Sequence, residues 1–101
     1  MSRTTLDELK NRRLGRMTAA ERAEFDTTYA AAKLALSVGE QVRDARESAG
    51  LSQRALASRM GTSQAAIARL EAGGVGSTLT TLQRVASALD LQIAVRFIAA
   101  S

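Results

Sequence analysis

Residues 51–73 read LSQRALASRMGTSQAAIARLEAG. Ser52 stands where it can cap a helix over Gln53 to Met60, in which Leu56 and Met60 lie four apart and Ala55 and Ala57 allow close packing. Gly61 ends that helix. Thr62 and Ser63 can cap the next, Gln64 to Ala72, whose inward stripe is Ala66, Ile67 and Leu70 while Gln64 and Arg69 point outward. Two short helices joined through a glycine, the second exposing polar residues on an Ala-rich body, have the form needed to enter a DNA major groove, because small side chains let the backbone approach. A glutamine can make two hydrogen bonds to an adenine edge, and an arginine two to the O6 and N7 of guanine. Composition and periodicity alone leave an ordinary pair of packed helices equally open.

Upstream, Thr18 followed by Glu21 is a capping box and predicts a helix start. Phe25, Tyr29, Ala32 and Leu36 continue at helical spacing on one face. Ser37 and Gly39 could break this helix or only weaken it, and one long helix remains possible. Val42, Ala45 and Ala49 mark the buried side of the segment from about Val38, with Gly50 as its C-terminal cap. Met1 to Met17 is polar and basic, a short helix or a loose arm. Downstream, Gly73, Gly74 and Gly76 form a loop, and Ser77 or Thr78 restarts a helix with Leu79, Leu82, Val85, Ala86 and Leu89 on its buried side. From Leu91 to Ile98 the period changes to two, with Leu91, Ile93, Val95 and Phe97 alternating against Gln92, Ala94 and Arg96. This predicts one C-terminal strand, whose economical partner is the same strand of a second copy, giving a two-fold dimer; the competing possibility is that it extends a sheet of a partner protein.

The chain has 101 residues, 46% of them hydrophobic and 24% charged, so one compact core with a terminal extension is expected. Aromatics are 3%, proline is absent, and Ala, Leu, Arg and Glu crowd the sequence, which favours an all-α fold. With neither Cys nor His, disulfides are excluded and the usual zinc ligands and nucleophile–base pairs are missing. No metal, cofactor or catalytic activity is expected. There is no run of about 18 apolar residues to span a bilayer and no signal-peptide core, so a cytoplasmic protein with no membrane contact is expected. The net charge is +4 and uneven: from Leu51 onward stand Arg54, Arg59, Arg69, Arg84 and Arg96 against only Glu71 and Asp90. That half is the candidate anion-binding surface.

The pattern Leu51-Ser52-Gln53-x-x-Leu56-Ala57-x-x-Met60-Gly61-x-Ser63-Gln64-x-x-Ile67-x-x-Leu70-Glu71-x-Gly73 strongly resembles the Xre/Cro family of phage and bacterial repressors. Leu79-x-x-Leu82-x-x-Val85-Ala86-x-Ala88-Leu89 is similar to that family's next helix. The resemblance covers about Val38 to Leu91. It implies a helix-turn-helix domain over 38–90. With the helical arm of 1–37 and the strand of 91–101, both departures from the minimal repressor, the expected fold is all-α: a five-helix helix-turn-helix domain with an N-terminal helical arm and one C-terminal β-strand. The resemblance further implies that Ser63, Gln64, Ala65 and Arg69 face bases and that Ser52, Gln53 and Thr62 hold phosphates, with Gln53 also buttressing Gln64. Arg46 and Glu71 would form an internal ion pair beneath the reading helix, since an acid there repels phosphate unless it turns inward to a cation. The chain departs from several family members in having Ala65 where they carry a second amide, and Ala72 where they carry Asn.

The two flanks are similar to the HigA-like branch of bacterial antitoxins, in which a dimer represses its own operon and holds a small basic ribonuclease toxin of the RelE/HigB-like type. That resemblance implies toxin binding by the arm through Leu6, Leu9, Leu14, Phe25 and Tyr29, an apolar surface that a small core cannot fully cover. The alternative is a free-standing Xre-type repressor with no toxin partner, its arm serving only its own fold.

Overall fold

The computed structural model describes residues 17–74 and 78–100, and the chain divides into two compact units, Met1–Leu34 and Ala35–Ser101. Four α-helices are present among the described residues: α1 (Ala19–Ser48), α2 (Gln53–Met60), α3 (Gln64–Glu71) and α4 (Leu79–Ala88). The Thr18 hydroxyl opens α1 by accepting from the Glu21 amide at 3.1 Å. Within the first unit Phe25 and Tyr29 stack one turn apart, with ring centroids separated by 6.4 Å, and the Lys33 ammonium lies 5.5 Å from the Tyr29 ring centre.

The second unit is built around Leu56 and Ile67, which have no more than 1% of their surface exposed. Val42 of α1, Ala57 of α2, Leu70 of α3, and Val85 and Leu89 at the end of α4 close around them. Helix α2 packs on both α3 and α4. Burial of a Leu or Ile side chain contributes about 1.5–3 kcal/mol, so this small cluster is what holds the short helices, which are too short to persist alone. Leu79, expected on the buried side, is exposed: it is the first residue of α4, ahead of the turns that face the core.

Serine, serine and threonine start the short helices as the sequence indicates. Ser52 accepts from the Ala55 amide at 3.0 Å, Ser63 from Ala66 at 3.1 Å and Thr78 from Thr81 at 3.1 Å. The C-termini share a device too. Each helix closes with an amide reaching five residues back, from Leu51 to Arg46, Thr62 to Ala57, Gly74 to Arg69 and Leu91 to Ala86, at 2.7–3.2 Å. The residue before each such donor takes a left-handed backbone: Gly50, Gly61, Gly73 and Asp90.

Two expectations are overturned. The five helices become four among the described residues, because Ser37 and Gly39 do not break the chain and α1 runs unbroken for 30 residues. Serine and glycine inside a helix each cost only about 0.5–1 kcal/mol, which flanking turns can carry. The C-terminal strand is absent: Leu91, Ile93, Val95 and Phe97 belong to neither helix nor strand, and Phe97 is fully exposed. Alternation assigns side chains to two faces, but a strand exists only as part of a ladder, and no second extended segment stands beside this one among the described residues. The fold is therefore all-α.

Candidate nucleic-acid interface

Helix α3 turns Ile67 and Leu70 into the core. At about 100° per residue, Gln64, Ala65 and Arg69 fall within an arc of roughly 140° on the other side. All three are exposed, as is Ser63 at the cap. The Ser63 oxygen is occupied by the Ala66 amide, so its hydroxyl proton stays available to an acceptor. The amides of Gln64 and Ala65, in the first turn, have no acceptor within the helix and point along its axis, where an anion is favoured.

At the start of α2, Ser52 plays the same capping role, leaving its hydroxyl proton free. Thr62, in the turn between α2 and α3, is half-buried. Gln53 is half-buried and donates from Nε2 to Glu71 Oε1 at 3.1 Å. Its side chain is thus held by the last residue of α3, while Gln64, which it was expected to buttress, begins that helix. A phosphate only accepts, so Gln53 can offer it the second Nε2 proton and its own backbone amide.

Beneath these elements Arg46 and Glu71 meet in a two-pronged contact. Arg46 Nε donates to Glu71 Oε2 at 2.6 Å and Nη2 to Oε1 at 3.0 Å, the fork geometry that suits guanidinium and carboxylate. The third nitrogen, Nη1, donates to the Leu51 carbonyl at 2.8 Å. The two side chains are only 10% and 5% exposed. Burial pushes the Glu71 carboxyl upward, but the hydrogen bonds from Arg46 and Gln53 outweigh it and hold the group below the usual carboxylate range. The hydrogen bond from Glu71 raises Arg46 above its already high value, against the opposing effect of burial. Glu71 is therefore ionised and paired. Its charge, which at a helix C-terminus would oppose the helix dipole and repel phosphate, is cancelled from inside.

The structure thus brings Arg46, Glu71 and Gln53 into one buried network, and sets Ser63, Gln64, Ala65 and Arg69 on one exposed face. Phe25 and Tyr29 belong to the first unit; Leu6, Leu9 and Leu14 lie outside the described residues. The Gln53–Glu71 bond has no signature in the sequence. Nor do two arginine contacts on helix ends, Arg59 Nη1 to the Ala88 carbonyl at 3.1 Å and Arg84 Nη2 to the Met60 carbonyl.

A helix-turn-helix family model matches residues 42–95, just over half of the chain. A helix-turn-helix-type transcriptional regulator of Sinorhizobium fredii, itself uncharacterised, is 43% identical over 56 residues, which make up 55% of this chain and 29% of that protein. The chain spans less than a third of that relative's length. The matched stretch holds α2, α3 and α4 entire, together with Arg46. One match is to a helix-turn-helix domain, the other to a protein named as a transcriptional regulator of that type. Among the described residues no helix is long and apolar enough to cross a membrane.

Proposed function

The chain belongs to the helix-turn-helix family, and on that premise we propose that it is a sequence-specific repressor that reads duplex DNA with the outer face of α3. The observation that carries this reading is the division of α3, with Ile67 and Leu70 sealed in the core and Gln64, Ala65 and Arg69 exposed together. Gln64 reads an adenine and Arg69 a guanine, each through paired hydrogen bonds, and Ala65 offers only a methyl contact to thymine. Ser63 donates to a base, while Ser52, Gln53 and Thr62 fix the register on the backbone without selecting sequence. Two copies on a near-palindromic operator would place their reading helices one helical turn apart. This part of the proposal rests on symmetry alone, since the strand expected to join the copies is absent, and the stoichiometry on DNA tests it.

Gln64→Ala is expected to abolish the preference for the operator over random duplex while leaving weak general binding, a loss of about 1–3 kcal/mol. Competition titrations with the two duplexes measure it. An unchanged ratio of affinities sinks the assignment of α3.

The narrower reading, an antitoxin that also holds a small basic ribonuclease toxin, rests on the resemblance of the two flanks, and one flank has lost its strand. What still favours it is the length of α1, which begins at Ala19, well before the matched region at residue 42, and carries the Phe25–Tyr29 stack. A bare helix-turn-helix domain has no need of that extension. Copurification with the product of the adjacent gene tests it; a protein that purifies alone from cells expressing both genes is a repressor without a toxin partner.

A further inference from the structure

Gly39 lies inside α1, where glycine weakens a helix relative to alanine, and it is buried. A Cβ placed on it would stand 2.5 Å from the Glu71 carbonyl oxygen, 2.7 Å from that of Leu70 and 2.9 Å from the Glu71 carbonyl carbon. These are backbone atoms of the last turn of α3, and unlike the end of a flexible side chain they cannot swing aside. Helix α1 therefore crosses the end of α3 backbone to backbone at this residue. Two more α1 residues meet the same end. The Leu36 methyl Cδ2 lies 2.8 Å from where a Cβ on Gly73 would be, and Arg46 grips the Glu71 carboxylate. Residues 36, 39 and 46 fall on one helical face.

We infer that this face of α1 sets where the tip of α3 arrives on DNA, with Gly39 as a positioning residue for Gln64 and Arg69; the inference rests on the reading of α3 proposed above. Gln64 lies seven residues from Glu71, about 10 Å along the axis. A tilt of about 6° at the gripped end moves the tip by about 1 Å over that length. Paired hydrogen bonds to a base edge do not survive such a displacement, because their distances span only a few tenths of an ångström. Attraction to phosphates, which is long-ranged and insensitive to register, does survive it.

The test compares two duplexes, one selected by the wild-type protein from a random pool and one of scrambled sequence, at a temperature where circular dichroism shows each variant fully folded. Gly39→Ala is expected to lower the ratio of the two affinities by about ten-fold or more, the loss of one base contact. Its binding to scrambled duplex, and the salt dependence of that binding, should stay at the wild-type level. A merely structural glycine would lower stability and leave the ratio alone. Should Gly39→Ala fail to fold, Leu36→Ala decides, because it loosens the same grip at a half-exposed side chain and is expected to lower the ratio several-fold. An unchanged ratio in the folded Gly39→Ala protein, or in Leu36→Ala where that variant does not fold, overturns the inference. Gln64→Ala is measured alongside. If it retains the wild-type preference, α3 is not the reading helix and both proposals fall; if it loses the preference while Gly39→Ala keeps it, only the positioning role falls.

Discussion

Arg46 serves three acceptors at once, both carboxylate oxygens of Glu71 and the carbonyl of Leu51, so its removal orphans more than the removal of its partner does. Arg46→Ala is expected to cost about 3–5 kcal/mol, Glu71→Ala less, and the double replacement less than their sum. Urea titration of the three variants measures this, and additive losses would show that the pair contributes no coupling. The same network makes stability depend on pH with a definite sign. Glu71 is held below its unfolded value, near 4.3, so its contribution is complete above that pH and is lost as the pH falls through the lower folded value. Glu71→Gln should therefore start less stable at neutral pH and lose less than wild type between neutrality and about pH 3. Parallel profiles would mean that Glu71 titrates as it does in the unfolded chain. The ion pair was legible from the family resemblance together with a charge argument, since an acid in a DNA-reading helix has to be neutralised. The third member, Gln53, was not legible: its amide reaches a residue 18 positions away, and no local pattern states which of several acceptors it will find.

Helix ends were the most readable elements, because capping is local chemistry between residues a few positions apart. Ser52, Ser63, Thr78, Gly50 and Gly61 all act where the sequence places them. Asp90 escaped notice, although it takes the same left-handed conformation that three glycines supply elsewhere, at φ 58°; aspartate is one of the few side chains that tolerates it. Gly61 offers the cleanest test of the device, since a Cβ there would meet no atom within 4 Å among the described residues and the cost of substitution is conformational alone. Gly61→Ala is expected to lose about 1–2 kcal/mol, and Gly61→Asn distinctly less, because asparagine also visits the left-handed region. Equal losses in thermal or urea unfolding would point to a steric cause. Continuity and pairing were harder to read than caps. Nothing local tells a weakened helix from a broken one at Gly39, whose presence answers instead to the backbone of α3 lying against it. Period two at Leu91 to Ile98 is likewise a statement about side-chain faces, silent on whether any partner edge exists.

Across the molecule, a net charge of +4 attracts any polyanion and cannot by itself say where DNA sits. The structure divides the downstream arginines by what they already hold. Arg59 on α2 donates to Ala88 at the end of α4, and Arg84 on α4 donates to Met60 at the end of α2, so each caps carbonyls that the other helix leaves open. Cations are favoured there by both helix dipoles. The side chains of Arg54, in the first turn of α2, and Arg69, on the outer face of α3, are exposed and form no hydrogen bond or ion pair among the described residues. These two stand beside the groups assigned to phosphates and bases. Replacing either with Ala is expected to reduce the slope of log affinity against log salt by about 1, since each phosphate contact releases close to one counterion. Arg54→Ala should weaken all sequences alike, whereas Arg69→Ala should also relax the preference for the operator. Arg59→Ala and Arg84→Ala should lower the unfolding midpoint and leave the salt slope near the wild-type value. If Arg59→Ala instead flattened the slope as much as Arg54→Ala does, Arg59 would be a phosphate contact like Arg54, and its bond to the Ala88 carbonyl would not be what it is kept for.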